Sequence, residues 1–577
     1  MKKFSADFET STLKWNKNET WVWAWAVCEI GNFKNIEIGN NIDSFIDYCK
    51  NSKNSCFYFH NAKFDFQYII SYLLQNEYTW IKDKKEKENK TFTTLITDMG
   101  EFYSLTIYFE VKNKRVVKAD FRDSLKLLNF SVEKIAKDFG IEEQKLELDY
   151  DTPREKDHIL TEHEKNYISH DVIIMAKALH IMFLRNLTKL TIASNALDDY
   201  KKRIKNFKSY FPNLGDLHKE IKNSYKGGFT YCSPKYKNLE VGGGIVLDVN
   251  SLYPSCLKNY PLPIGLPIPF LGKYEYDNLY NLYIQQISCS FKLKKNKIPT
   301  IQIKHNRFFI GNEYIEDTEG EIVALTLTNI DLDLFFEQYE VSNLEFIQGW
   351  KFKSVKGLFN NYVDFWTKEK IEGGKEKNVA KRTIAKLMQN ALYGKFASKE
   401  SGSLKMPFLN DEDIVCYKNL EKEERETIYI PVAAFCTAYA RNVTIRASQK
   451  IRDYSMEKYK KDLYYYSDTD SIHTGLTNEN ELKSILAIDD FELGKWKIEN
   501  KFKRAKFIGQ KCYIEEIYKN EHETEIKVTC AGMPRQCYED VTFENFNIGF
   551  VSSKKLVPKR IKGGVVLHET TFEIKAR

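Results

Sequence analysis

Residues 461–473, Lys-Asp-Leu-Tyr-Tyr-Tyr-Ser-Asp-Thr-Asp-Ser-Ile-His, restrict what this chain can become more than any other stretch. Aromatic and apolar residues run into a polar turn holding Asp468 and Asp470, and apolar Ile472 resumes after it, which predicts a β-hairpin. Carboxylates at i and i+2 repel each other at close range and are tolerated best where a divalent cation or water compensates them. Taken alone, such a turn is more often a solvated loop than a reaction site.

Two more segments raise its meaning. In Leu247-Asp-Val-Asn-Ser-Leu-Tyr-Pro254 a carboxylate, Asp248, closes the strand-like Gly244–Val249, and Tyr253 follows in the turn. Brought beside Asp470, Asp248 could hold two Mg²⁺ ions that clamp a triphosphate for in-line attack by a hydroxyl. In the helical stretch 382–394, Arg382, Lys386, Asn390 and Tyr393 fall at i, i+4, i+8 and i+11, on one face, while Ile384, Leu387, Met388 and Ala391 cover much of the rest. Two cations, an amide and a phenol make either a wet surface or a platform for a triphosphate and a base.

The first 190 or so residues read as an α/β domain, with strands at 3–8, 21–29, 56–59, 103–110 and 115–120 and a closing helix at 162–184. Asp7-Phe-Glu9 lies on the first strand, so alternation puts both carboxylates on one face. Asn61-Ala-Lys-Phe-Asp65 follows another strand, and Tyr167 and Asp171 stand at i and i+4 on the helix. Four carboxylates from three segments can bind two metal ions and hydrolyse a phosphodiester, although each segment alone is a common surface pattern. His163, His170 and His180 read as helix-surface residues, because no cysteine accompanies them at zinc-ligand spacing.

Together the motifs D-x2-SLYP at 248, K-x3-N-x2-YG at 386 and Y-x-DTDS at 466 resemble those of the family B DNA polymerases. The resemblance makes Asp248, Asp468 and Asp470 metal-site carboxylates, Arg382 and Lys386 triphosphate ligands, and Tyr253, Asn390 and Tyr393 parts of the nucleotide pocket, the tyrosines excluding a 2′-hydroxyl. Tyr225-Lys-Gly227-Gly228 resembles the family's Y-x-G-G template-binding turn, and Lys511-Cys-Tyr513 its K-x-Y primer-strand motif. The N-terminal set resembles a ribonuclease H-like DEDD 3′→5′ exonuclease of the tyrosine subtype. It makes Asp7, Glu9, Asp65 and Asp171 the metal carboxylates, Tyr167 the residue orienting water, Lys145 an auxiliary catalytic lysine, and His60, Asn61, Phe64, Ser124 and Leu125 single-strand contacts.

The implied fold is a multidomain α/β and α+β chain: exonuclease domain 1–189, palm 190–259 and 429–530, fingers 358–397 and thumb 531–577, with insertions at 260–357 and 398–428. Small size and those insertions are similar to the protein-primed branch found in small tailed bacteriophages and linear plasmids, which implies a terminal-protein primer, strand displacement and high processivity. Implied partners are template and primer DNA, dNTPs and that terminal protein; the implied cofactor is Mg²⁺, with Mn²⁺ possible, two ions per site, in a monomer. Ala391 departs from the family's usual Ser, and Ser467 from a frequent Cys. Alternatives left open are extension of ordinary primers only, a nuclease joined to a non-catalytic DNA clamp, and a DNA-binding accessory protein.

Charge and composition agree without deciding. A formal charge of +7 is mild, but 545–568 contains no acidic residue and includes Lys554, Lys555, Lys559, Arg560 and Lys562, and 501–506 is similarly basic, as a phosphate track or a solvated face would be. The longest purely apolar run, Trp21–Cys28, is too short to cross a bilayer, and eleven cysteines without a C-x2-C pair suggest reduced thiols, so a cytoplasmic, membrane-free protein is expected. A helix is expected over 363–392, interrupted near Gly373-Gly374 and stopped by Gly394.

Overall fold

A strand with every residue buried must lie inside a sheet covered on both faces, and Ser55–Phe59 is such a strand. The computed structural model describes residues 1–112, 115–304, 308–311 and 313–575. It places Ser55–Phe59 in an eight-stranded sheet ordered Asn32–Gly39, Val22–Glu29, Lys3–Thr10, Ser55–Phe59, Arg115–Asp123, Phe102–Lys112, Thr91–Ile96 and Thr79–Trp80. Lys3–Thr10, Ser55–Phe59 and Arg115–Asp123 run parallel. Helix Glu162–Leu184 packs on Lys3–Thr10 and Val22–Glu29. Thr161 and Glu164 close its N-terminus in a capping box, which satisfies two otherwise orphaned N–H groups. By length and composition this helix could cross a bilayer, but it buries Ile168, Val172, Ala176 and Leu179 against the sheet.

A second, wholly antiparallel sheet runs Thr524–Cys530, Cys512–Tyr518, Trp496–Gly509, Gly244–Val249, Ser471–Thr474, Tyr464–Asp468 and Thr230–Cys232, with Glu240–Val241 added to Trp496–Gly509. The expected hairpin is therefore Tyr464–Asp468 paired with Ser471–Thr474. Behind it runs the 30-residue helix Ile430–Tyr459, entered through Pro431 in its first turn, where a missing N–H costs nothing. Residues 262–355 supply a four-stranded sheet of Leu262–Leu271, Tyr339–Val355, Leu282–Leu293 and Val323–Thr328.

The expected long helix is two: Asn360–Lys375 and Val379–Phe396. The break falls after Gly373 and Gly374, where Lys377 takes a φ of 55° and the Asn378 side chain accepts from Lys381 N–H to start the second helix. Gly394 does not stop that helix, which continues to Phe396; Leu392 and Phe396 are buried on either side of it, and tertiary packing overrides glycine's weak propensity.

The C-terminal hairpin Val551–Ile561 with Gly564–Glu573 is rooted on the second sheet, where Phe550, Phe572 and Ile574 pack with Ile508 and Ile514. Its tip reaches the first sheet's domain. Thr20 N–H donates to Lys562 O at 2.9 Å, and Tyr68 Oη donates to Val565 O at 2.5 Å. Gly563 has a φ of 89°, and a Cβ there would stand 2.0 Å from Thr20 O. A second hairpin, Lys405–Leu409 with Val415–Asn419, docks beside it: Tyr417 Oη donates to Gln67 Oε1 at 2.7 Å, and Asp413 pairs with Lys562 at 2.8 Å.

Candidate active sites

Alternation on Lys3–Thr10 sends Asp7 and Glu9 to the face that helix Glu162–Leu184 covers, and Asp171 rises from that helix to meet them. One ligand oxygen from each of the three lies within 4.8 Å of the others. Burial, and then the Asp171 charge, push Asp7 up to about 7; burial and both neighbours raise Glu9 well above the carboxylate range. Asp171 is raised by burial although Lys145 stands 3.4 Å away, and its Oδ1 is buried without a hydrogen-bond partner. Crowded acids and an orphaned oxygen are what a divalent cation relieves, so these residues fit one. Asp65 opens helix Asp65–Gln75, buried and raised by burial and by Asp7, but its carboxylate is outside the three-residue group.

Tyr167 is buried, and its hydroxyl meets that of Tyr150 at 3.0 Å; Tyr150 Oη in turn donates to Glu9 Oε2 at 3.2 Å. Asp123 Oδ1 accepts from the N–H groups of Asn61, Ala62 and Leu125, tying the 61–65 loop to the turn at 124–126. Sequence reasoning missed both residues; Tyr150 stands five residues after Lys145 with no motif of its own, whereas Asp123 before Ser-Leu is a readable capping signal. Asn61 is exposed and Phe64 and Leu125 are half-buried. His60 and Ser124 are tied into the loop. Ser124 is fully buried, donates to Phe59 O at 2.8 Å and meets His60 Nδ1 at 3.0 Å, while His60 Nε2 sits 2.7 Å from Phe130 O. Their polar atoms brace the loop.

On the second sheet, Asp248 lies opposite Ser471 on one neighbour and Lys497 on the other. The hairpin turn is pinned to it: Val249 N–H donates to Asp470 O at 2.8 Å, and Thr469, with a φ of 60°, donates its N–H to Phe229 O at 2.7 Å. Burial and then Asp248 push Asp470 up to about 6; burial raises Asp248, opposed by Lys497 at 3.3 Å and by Lys386. Exposed Glu499 adds to the repulsion on both. This pair also fits a cation. Asp468 adds its charge to Asp470 and has partners of its own: Lys511 Nζ lies 2.9 Å and 3.2 Å from its two oxygens, and Thr230 Oγ1 donates to it at 3.2 Å. The expected third metal carboxylate thus also pairs with the expected primer-strand lysine.

Arg382, Lys386 and Asn390 form an exposed stripe on Val379–Phe396, opposite buried Ile384, Ala385, Met388 and Leu392. Tyr393 stacks on Tyr253 with ring centroids 4.0 Å apart. Lys370, which the sequence did not single out, donates to Ser251 Oγ at 3.0 Å and is lowered by burial and then by Lys386, Lys497 and Arg382, so four cations share one space beside Asp248.

Arg441, buried with Asp331 in a two-pronged pair at 3.0 and 2.7 Å, donates to the carbonyls of Lys226 and Gly227, both at 2.7 Å, and so fixes the turn beside half-buried Tyr225. Gly227 is open to its surroundings, as a backbone-approach site requires, but a Cβ on Gly228 would meet Thr469 at 2.7 Å and Tyr253 Oη at 3.0 Å. Gly228 therefore lets this turn close on the hairpin that carries Asp468 and Asp470. Tyr513 is buried among Tyr466, His473 and Phe507, which gives it a supporting place and not a surface one. It backs Tyr466, whose hydroxyl accepts from Lys511 N–H at 2.8 Å.

A family model described as DNA polymerase type B, organellar and viral, matches residues 46–165 and 153–484. The DNA polymerase of Bacillus phage M2 is 42% identical over all of both chains, that of Bacillus phage phi29 41% identical over 100% of this chain and 99% of the relative. The DNA polymerase of Streptococcus phage Cp-1 is 32% identical over 99% and 98%. Among solved structures, phi29 DNA polymerase complexed with primer-template DNA and incoming nucleotide substrates superposes with a TM-score of 0.92 at 40% identity, covering 100% of each chain.

Proposed function

This chain belongs to the type B DNA polymerases of organelles and viruses, and we propose that it joins DNA synthesis at Asp248 and Asp470 to 3′→5′ excision at Asp7, Glu9, Asp65 and Asp171. The observation that carries this is the presence, on two different sheets, of two acid groups whose carboxylates are raised by burial first and by one another second, each group faced by a lysine. Its fold is that of a family B polymerase, an exonuclease domain with palm, fingers and thumb.

Divalent cations, Mg²⁺ with Mn²⁺ as a substitute and two per site, would supply activation of the attacking oxygen and neutralisation of the leaving one. In synthesis, Asp248, Asp468 and Asp470 would hold the cations, Arg382, Lys386 and Lys370 bind the triphosphate, and Asn390 with the stacked Tyr253 and Tyr393 shapes the pocket beneath base and sugar. Lys511, paired with Asp468, faces the primer strand with Tyr513 behind it, and Tyr225 with Gly227 and Gly228 faces the template. In excision, Tyr167 and Tyr150 position water beside Glu9, Lys145 steadies Asp171, and Asn61, Phe64 and Leu125 receive the frayed strand.

The domain limits proposed are exonuclease 1–189, palm 190–259 and 429–530, fingers 358–397 and thumb 531–577. The insertion at 260–357 takes a terminal protein, and that at 398–428 meets the thumb hairpin around DNA, giving strand displacement and processivity. Resemblance to phage polymerases over the whole length supports protein priming and action in the host cytoplasm. Structures of phi29 polymerase with primer-template DNA, nucleotides and single-stranded DNA support the DNA and dNTP partners.

A 5′-labelled primer on a template, incubated with the protein and Mg²⁺, should lengthen with dNTPs and shorten without them. Shortening alone would favour a nuclease with a non-catalytic clamp. Labelled dNMP should become covalently attached to the cognate terminal protein; if primed DNA is extended well and that label never appears, protein priming is wrong.

A further inference from the structure

Asp248 and Lys497 face each other on neighbouring antiparallel strands, and a β-bulge puts them there. Val246 lies opposite Asn500 but Leu247 lies opposite Ile498, so Glu499 is the extra residue. Without that bulge the residue opposite Asp248 would be apolar Ile498; bulges of this kind re-aim side chains at functional edges. Lys497 is thus built into the site by backbone register, with its ammonium 3.3 Å from Asp248 Oδ1 and its side chain one-third exposed. The other cations of this space come from two helices, Lys370 on Asn360–Lys375 and Arg382 and Lys386 on Val379–Phe396.

Charge bookkeeping decides what such a lysine can do. Alone, it neutralises one of two crowded carboxylates. With a nucleotide and its cations bound, Asp248 would have a better partner, and the freed ammonium would stand beside a polyanion that Lys370, Arg382 and Lys386 would also contact. A flexible lysine can follow that charge, since it acts as a point charge on a long stem. We propose that Lys497 is a further triphosphate-contacting residue, exchanging Asp248 for the phosphates of the incoming nucleotide, so that the palm sheet as well as the helical hairpin grips it. The inference rests on the polymerase reading above.

The test uses the full chain on a primer-template with a non-extendable 3′ end, and Ca²⁺ to allow dNTP binding without turnover. Lys497→Ala should weaken dNTP binding about tenfold, the scale of one charge-assisted contact, with Lys497→Arg restoring it to within about threefold and single-strand shortening in Mg²⁺ unchanged. Lys497→Ala binding within twofold of the parent, or tighter because Lys497 merely competes with the cation, overturns the inference. A third result separates the two levels: if the parent chain extends primers while the variant binds dNTP normally, only this inference fails, whereas a parent that never extends removes the reading beneath it.

Discussion

Replacing Asp7 by Asn should stabilise the cation-free protein while abolishing strand shortening. Asp7, Glu9 and Asp171 crowd their oxygens within 4.8 Å, and Asp7 is pushed from the ordinary 3.8 to about 7, by burial first and the Asp171 charge second. A displacement of that size corresponds to about 4 kcal/mol of differential stability; since Glu9 and Asp171 share the repulsion, about half, ~2 kcal/mol, is a reasonable expectation for one substitution. The sign follows from linkage. A carboxyl whose folded pKa is raised costs nothing below about pH 4, where both states are protonated. Its cost grows as pH climbs toward 7, because the unfolded chain has ionised and the folded one has not, and it is complete above 7. In EDTA at pH 8, Asp7→Asn should therefore raise the melting temperature of the N-terminal unit by about 4–8 °C, the gap closing as pH falls toward 4. Mg²⁺ should reverse the order at pH 8, since only the parent holds its full ligand set. A variant melting at or below the parent in EDTA at pH 8 would refute the argument that these carboxylates are held together against their own repulsion.

Three further outcomes are expected. Asp470→Ala should cut primer extension by several orders of magnitude, as loss of a ligand from a two-metal site does, and leave single-strand degradation intact, with Asp7→Ala/Asp65→Ala giving the converse on the same labelled substrate; linked loss of both activities would undermine two separate sites. Arg441→Met should destabilise the chain by about 3–5 kcal/mol by stranding buried Asp331, and Arg441→Met with Asp331→Leu should recover most of it in thermal melts. Tyr150→Phe breaks the 3.2 Å bond to Glu9 and the contact with Tyr167, and should slow single-strand shortening several-fold with extension rate unchanged; equal shortening rates would show that these phenols do not position water.

What could be read from sequence was what is local. Asp7 and Glu9 share a face because a strand alternates, and Asp468 and Asp470 share a turn because apolar residues flank them, so neither needed knowledge of distant parts of the chain. Arg382, Lys386 and Asn390 share a stripe for the same reason. What stayed illegible depends on contacts between remote residues. Lys511 neutralises Asp468 across 43 positions, and Arg441 reaches back more than two hundred to the carbonyls at 226 and 227. Lys497 faces Asp248 only because Glu499 is squeezed out of register, and no propensity announces a bulge. The end of the Val379–Phe396 helix went past Gly394 because buried neighbours outweighed a local preference, the usual reason that element ends are the least readable feature.

The contact between the tip of the C-terminal hairpin and Thr20 and Tyr68 joins parts of the chain that are close to its two ends, Tyr68 and Val565 lying 497 residues apart. Ionic grip on a polyanion decays steeply as salt rises, because each neutralised phosphate releases a counterion. On the proposed reading, in which this hairpin closes around DNA, a different rule applies: whatever passes through a closed circuit of protein is retained by connectivity, and leaves only by sliding off an end or when the circuit opens. The junction here relies on backbone carbonyls and a glycine seated against Thr20 O, with one surface ion pair, Lys562–Asp413, at its side. Screening weakens the ion pair and leaves the rest, so the latch should outlast, in concentrated salt, the electrostatic attraction that first draws nucleic acid in.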